Sequence, residues 1–441
     1  MKKLLQKNSL TIALLCLTLL AGALTFSCKG EASGKEGKAG IVLSPDNEGI
    51  KVPDGFHVIE VANSLGSPRH IAVNSNGGIY VKLEEPVDGK GILYLKDTDG
   101  DGAADTSTGF GDYGGTGIYL TDHYLYASSN EDVFRYALDE NQEVPANASP
   151  DTLVYGLIDR RTHNSKSITL DGKGNLYVNI GAYSNACQKD DRTLGSPGLM
   201  PCPILDSAGG IWQFKTDKFH QTYGDGVRYA TGLRNVVGLD WNQQANALFV
   251  AQHGRDQLHT LYPDYFDQQA SASLPAETLY RIEEGDDAGW PYIYYDQIQH
   301  KKILAPEYGG DGKKTGGEDA IDPAVAFPGH MAPNALLFYT GNMFPERYKN
   351  GAFIAFHGSW NRAPEPQKGY FVVFIPFENG APSGDWEVFA DGFSGKDTVH
   401  SPDEAEHRPT GLAQGPDGSL YVSDDAGGSL FRILYDVKDG E

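Results

Sequence analysis

Basic residues, cysteine and long apolar runs are all scarce in this 441-residue chain. Lys and Arg number 36 against 59 Asp and Glu, a net charge of -23. That deficit excludes nucleic acid as the expected partner, because phosphate binding requires clustered cations. It also makes any local group of Arg informative. Only four cysteines occur, and no C-x-x-C-H motif, so covalently attached haem is excluded. Beyond the N-terminal segment the apolar runs are short and rich in Val, Ile, Tyr and Phe, and helical periodicity is scarce, which argues against a helical protein.

Glycine and aromatics are abundant instead. With 54 Gly, 24 Tyr and 19 Phe, the chain reads as many tight turns between aromatic strands. The N-terminal "MKKLLQKNSLTIALLCLTLLAGALTFSC" has an export-signal layout: Lys2, Lys3 and Lys7, then an apolar stretch over 10–24. It ends in Ser27-Cys28, a small residue before Cys, as in a bacterial lipobox. Residues 1–28 are therefore expected to be a lipoprotein signal with Cys28 the lipidated residue, and "KGEASGKEGKAG" opens a flexible tether over 29–50. The protein is expected outside the cytoplasmic membrane, periplasmic or on the cell surface, attached by its lipid alone; a signal peptide cut nearby is the alternative. Cys187 and Cys202, the cysteines of the mature chain, close one Gly/Pro loop and point to a disulfide.

A phrase recurs through residues 51–441: an apolar strand, a polar turn, and a strand ending in an aromatic-aliphatic pair. It occurs at 70–81, 117–127, 167–178, 236–250, 334–355 and 411–422. Each occurrence is followed by a third strand with a charged end, at 91–97, 132–140, 210–217, 277–285, 369–377 and 429–437. Small sheets that cannot bury both faces alone, repeated six times, predict an all-β, six-bladed β-propeller. The spare strand "HVIEVANSL" (57–65) is expected to complete the last blade and close the ring, hiding its edges. A sandwich or a pair of barrels is the alternative architecture.

Propeller sites gather on the axis, so the residues just before each inner strand matter most. They are Pro68-Arg69-His70, Gly114-Gly115-Thr116, His163-Asn164-Ser165-Lys166, Gly232-Leu233-Arg234-Asn235, His330 to Asn334, and Glu406-His407-Arg408-Pro409. In an acidic chain this is a cationic ring around candidate bases, suited to an anionic ligand. Separately, "DTDGDGAAD" places Asp97, Asp99, Asp101 and Asp105 in a pattern similar to a calcium loop, without its terminal Glu and without flanking helices; it reads as a turn between outer strands and a candidate structural calcium site.

The stretches "HNSKSITLDGKGNLYVNIG", "YATGLRNVVGLDW", "ALFVAQHGRDQL", "GAFIAFHGSWNRAPEPQKGY" and "HRPTGLAQGPDGSLYVSD" resemble the quinoprotein sugar dehydrogenases, and most closely the sorbosone dehydrogenase branch, over about residues 55–436. The resemblance implies the cofactor pyrroloquinoline quinone (PQQ) with calcium, a small sugar substrate, and an external electron acceptor, a cytochrome or a quinone. It implies that His163 is the base taking the proton of the sugar's anomeric hydroxyl while hydride moves to the quinone C5. Arg234 and Asn235 would contact the quinone, and the backbone carbonyls of Gly254 and Arg255 would hold calcium. His253 would lie near the cofactor edge and Arg408 would pair with a cofactor carboxylate, while Lys166, His330 and Arg362 are further candidate contacts. The chain departs from the soluble glucose dehydrogenases at Gly114-Gly115-Thr116-Gly117, within "HGSWNR", and at Thr410, which sets glucose aside as the expected substrate. Two other activities remain on the same architecture: a calcium-dependent lactonase, which would need carboxylate and Asn side chains on the axis, and a non-catalytic glycan-binding propeller.

Overall fold

Polar turns between short apolar strands set the architecture, and the third blade shows how. Its inner strand, Ile168–Leu170, turns through Gly172 and Gly174, both at positive φ, into Asn175–Ile180. Asp171 accepts from the backbone N–H of Lys173 at 2.7 Å and of Asn175 at 3.1 Å, closing the turn with its own carboxylate. The computed structural model describes residues 40–436; the signal segment with Cys28, the first part of the tether and the last five residues lie outside them.

Six antiparallel units of this kind form a β-propeller. Their inner strands are Pro68–Val73, Ile118–Leu120, Ile168–Leu170, Val236–Asn242, Pro333–Phe338 and Pro409–Gln414. Each is followed outward by a second and a third strand, and in blades 1 to 5 by an outer strand that the sequence pattern does not reveal, such as Thr106–Phe110 in blade 1 or Glu387–Ala390 in blade 5. Blade 6 takes its outer strand from the beginning of the domain: Phe56–Ala62 pairs antiparallel with Leu430–Tyr435, Val58 opposite Ile433. The predicted six blades and strand closure are thus both present. Phe56 secures the closure, meeting Phe344 and Phe389 edge-on at centroid distances of 4.9 and 5.1 Å.

Residues 40–50, assigned by sequence to the tether, pack on the propeller. Val42 donates to the Asp101 carbonyl at 2.9 Å, Asn47 Oδ1 accepts from the Val58 N–H at 3.0 Å, and Ile50 is buried in the core. No helix among the described residues is long and apolar enough to cross a membrane.

Strand alternation decides which loops share a face. Segments leading into inner strands lie at the same end as loops joining second to third strands. The insertions at 181–209, 253–276 and 357–370 are of the latter kind, in blades 3, 4 and 5. Cys187 and Cys202 are joined by a disulfide in the first of these, with Cα atoms 6.2 Å apart. Below, the inner strands enclose an axial cavity of about 440 Å³ that Asp240, Thr169 and Tyr119 line.

Candidate functional site

His163 sits at the turn entering blade 3, half-buried, with left-handed backbone (φ 53). A β-carbon on Gly181 would lie 2.5 Å from the His163 carbonyl and 2.8 Å from both His163 Cβ and Asn235 Oδ1, so only glycine lets these two segments approach. His163 Nδ1 lies 2.5 Å from the Ala182 carbonyl, which can only accept. The neutral ring therefore carries its proton on Nδ1 and presents a lone pair at Nε2. Burial, then the nearby Arg234 guanidinium, push its pKa down to about 3, against the Ala182 bond, which raises it. The imidazole is accordingly neutral throughout the physiological range, with its Nε2 lone pair unoccupied.

Arg234, from the turn entering blade 4, is buried and held from three sides. Nε donates to the Asn185 carbonyl at 3.2 Å and NH1 to the Gly254 carbonyl at 2.8 Å. NH2 donates to Asn185 Oδ1 at 3.1 Å and to Asp256 Oδ2 at 2.8 Å. Four of the five guanidinium N–H groups are thus engaged and one on NH1 is left. Next to it, Asn235 Oδ1 is buried with no partner. An unpaired buried amide oxygen is costly and is usually reserved for a ligand or water.

Asp256 is the countercharge of this half of the site. Its Oδ2 accepts from Arg234 and from Arg192, each at 2.8 Å, and Oδ1 lies 4.0 Å from His330 Nδ1. Burial alone would raise its pKa; the two guanidinium groups outweigh that and hold the carboxyl well below the usual range. Glu277 stands behind, accepting from the N–H of Gly254 at 2.8 Å and of Met331 at 3.0 Å, so one carboxylate ties the loop after His253 to the loop entering blade 5. His253 places Nε2 3.1 Å from the Pro333 carbonyl; its pKa is lowered to about 4, chiefly by burial.

The other half centres on Asp425, which accepts from Arg69 NH1 and from His357 Nε2, each at 2.7 Å. Arg408 donates to the carbonyls of Gly358 at 2.7 Å and His357 at 3.2 Å. Arg69 Nε reaches Thr116, whose hydroxyl bonds Ser165 at 3.2 Å, carrying the arc back toward Lys166. Lys166 is buried, spends one N–H on the Asn164 carbonyl at 2.7 Å, and has its pKa lowered to about 8 by burial.

The structure brings His163, Arg234, Asn235, His253 and Gly254 together, with Lys166 and Arg408 on the facing arc. His330 and Arg362 lie behind it. His330 Nε2 is 2.9 Å from the Ser271 carbonyl and 2.8 Å from that of Leu274. Arg362 donates to the carbonyls of Ala272, Gly329 and Pro366, binding the blade 5 insertion to the blade 4 insertion. The Arg255 side chain is buried in an ion pair with Glu307 at 2.5 Å, leaving only its backbone for any ligand. Asp97, Asp99 and Asp105 draw carboxylate oxygens within 4.8 Å of one another on the exposed edge of blade 1. These carboxylates also accept backbone N–H groups of Thr98, Gly100 and Gly102; Asp101 accepts from Ala103 at 2.8 Å instead. Sequence reasoning missed Asn185, Asp256, Glu277 and Asp425. Asp256 follows "HGR" directly, and Asp425 closes "YVSDD".

One end of the axis of this six-bladed propeller thus carries a neutral histidine, a buried arginine and an unpaired amide oxygen. The family model described as TrAA12-like matches residues 50–436, and the chain belongs to that family. It is similar to the pyrroloquinoline quinone-dependent pyranose dehydrogenase of Coprinopsis cinerea, 24% identical over 428 residues, 87% of this chain. The chain spans only about half of that relative, 54% of its length. The PQQ domain of the Coprinopsis cinerea pyranose dehydrogenase, solved in holo form, superposes with a TM-score of 0.68 at 22% identity, covering 87% of this chain and 97% of that one. A calcium structure of the Trichoderma reesei family AA12 protein gives 0.67 at 20% identity, covering 88% and 97%. At these identities the superpositions establish the fold.

Proposed function

We propose that this protein is a PQQ- and calcium-dependent dehydrogenase of aldoses or related sugars of the sorbosone type, passing its electrons to an external cytochrome or quinone. The observation that carries the reading is the His163 ring, fixed through Nδ1 on the Ala182 carbonyl with its Nε2 lone pair unspent beside Arg234.

The residues present fit the cofactor. The free NH1 hydrogen of Arg234 suits a quinone carbonyl, and the unpaired Asn235 Oδ1, an acceptor, suits an N–H donor on the cofactor's ring system. Lys166 and Arg408 suit the cofactor's carboxylates, since charge-assisted bonds to carboxylate are the strong ones. The Gly254 carbonyl, which accepts one Arg234 hydrogen, keeps a second lone pair, and with the Arg255 carbonyl it would be an oxygen ligand of calcium. PQQ, when bound, supplies the electron sink that accepts hydride from the sugar's anomeric carbon. His163 Nε2 takes the hydroxyl proton of the same carbon. Ala182 holds the imidazole in the tautomer that can do so, and burial, with Arg234 beside it, keeps it uncharged before the reaction.

The relatives' names support this reading of substrate and cofactor, as do the holo and calcium forms of the superposed proteins. The lipobox at Cys28 and the Cys187–Cys202 disulfide support a place outside the cytoplasmic membrane with a lipid tether. The test is reconstitution of the full-length protein with PQQ and calcium, following its visible spectrum and sugar-dependent dye reduction. The expected result is a spectral change on PQQ addition and sugar-driven reduction that His163→Ala abolishes. No spectral change sinks the reading, and full activity in His163→Ala sinks the assigned base.

A further inference from the structure

Beyond the axial site, the rim carries a feature that the reaction does not use. Trp360, in the blade 5 insertion, is 51% exposed, the one tryptophan among the described residues that reaches solvent to this extent; Trp212, Trp241 and Trp290 are each 7% exposed or less. A single exposed aromatic is ordinary on a surface. This one borders a notch of about 100 Å³ whose other walls come from the blade 4 insertion. The notch is lined by Gln257, His259, Thr260, Gln268 and Asn361.

Each amide in that wall is held at one end and free at the other. Gln257 Oε1 accepts from Arg192 NH1 at 2.7 Å, Gln268 Nε2 donates to the Ala363 carbonyl at 3.0 Å, and Asn361 Nδ2 donates to His330 Nδ1 at 3.3 Å. The opposite end of each amide is free for a hydroxyl. His259 Nδ1 is 2.7 Å from the Phe266 carbonyl, so its Nε2 is free as an acceptor. Fixed donors and acceptors around an aromatic face are the chemistry of a pyranose, whose C–H face packs on a ring while its hydroxyls bond amides. Arg192, whose guanidinium lies beside the Trp360 ring, has its charge met by Asp256 and gives another N–H to Gln257.

Arg192 also joins the notch to the axial site. Its NH2 shares Asp256 Oδ2 with Arg234, and its guanidinium carbon lies 6.0 Å from the Trp360 ring centroid.

We propose that the Trp360 notch is a second sugar-binding position, so that the protein oxidises the reducing end of a di- or oligosaccharide. The substrate part of this rests on the dehydrogenase reading; the binding part does not. Two measurements on the full-length protein separate them. In the first, tryptophan fluorescence is followed in the absence of PQQ during titration with cellotriose, maltotriose and glucose. A trisaccharide is expected to shift the emission where glucose does not, and Trp360→Phe is expected to remove the shift. In the second, the loaded enzyme's kcat/KM for a trisaccharide relative to the monosaccharide it oxidises best is expected to fall about tenfold in Trp360→Ala, and less in Trp360→Phe. The proposal is overturned if neither trisaccharide changes the emission up to its solubility, if the change survives in Trp360→Phe, or if the preference ratio is unaltered in Trp360→Ala. Trisaccharide binding at Trp360 with no oxidation of any sugar upholds the notch and overturns the dehydrogenase reading.

Discussion

Replacing Asp256 with Asn tests whether charge or shape holds the arginine half of the site. The carboxylate accepts from Arg234 and Arg192, each at 2.8 Å. The two arginines differ in what they lose. Arg192 has a side chain 30% exposed, so water replaces the lost partner; that of Arg234 is 4% exposed and has no such recourse. Unit charges a few ångströms apart attract by about 4 kcal/mol at an effective dielectric of 20, and breaking a buried pair by removing one partner costs about 3–5 kcal/mol. Arg234 keeps its bonds to Asn185 and to the Gly254 carbonyl, and the Asn oxygen still accepts one N–H, which places the loss near the lower figure, about 3 kcal/mol. Urea unfolding at pH 7 measures it. The sign with pH is set by the depressed carboxyl: its contribution is complete above the ordinary aspartate value of 3.8 and is lost only as pH falls through the lower folded value. The gap between wild type and variant should therefore be constant from neutral pH down to about 5 and narrow in acid below 3.8. Added salt should leave it nearly unchanged, because buried pairs are poorly screened. Equal stability of the two proteins at pH 7, or a gap that salt erases, would refute the account of Asp256 as the buried countercharge.

Gly181→Ala should misplace His163 and Asn235, since the added carbon would stand under 3.0 Å from both; kcat/KM is expected to fall about a hundredfold with circular dichroism unchanged, and wild-type kinetics would contradict it. Breaking the Cys187–Cys202 bridge, with 15 residues of separation, should cost about 3 kcal/mol by the loop-entropy model, read as a lower urea midpoint in Cys187→Ser/Cys202→Ser. Asp240, on the axial cavity, has its pKa raised by burial to about 7. A raised acid stabilises the fold fully below its unfolded value and loses that contribution as pH rises, so stability should fall by roughly 2–4 kcal/mol between pH 4 and 7 from this group, a slope that Asp240→Asn removes.

What could be read from the sequence, and what could not, follows from where each residue's information lies. Inner, second and third strands read as short apolar runs between turns because most are buried along their length, as in Ala247–Gln252 and Ala352–Phe356, and the predicted third strand at 210–217 is observed as Gly210–Lys215. The outer strand Thr106–Phe110 has exposed residues at its first four positions, so it carries no apolar period; hydrogen bonding to its neighbour is all that makes it a strand. The spare strand at 57–65 was legible because, as an outer strand, it still buries Phe56, Val58 and Ile59 against the last blade and the core. The same division runs through the site. His163, Arg234 and Arg408 stand before inner strands, where the repeat itself assigns them to the axis. His330 also stands before an inner strand, but its donor, like those of Arg362, is spent on carbonyls of Ser271, Ala272 and Leu274 in the blade 4 insertion, which lies outside the repeated phrase.

The missed carboxylates have a different cause. Among 59 acidic residues, Asp256 and Asp425 are inconspicuous, and only burial beside guanidinium groups distinguishes them. Their presence alters the electrostatic reading of the axis. A cationic ring seen in sequence is, in the folded protein, largely neutralised: Asp256 takes Arg234 and Arg192, and Asp425 takes Arg69 and His357. What remains for an anionic ligand is directional rather than diffuse: one NH1 hydrogen of Arg234 and the unspent N–H groups of Lys166 and Arg408, with the unpaired Asn235 Oδ1 beside them as an acceptor. Donors fixed in this way reward a rigid, planar anion over a flexible one, because nothing in the wall must reorganise to meet it.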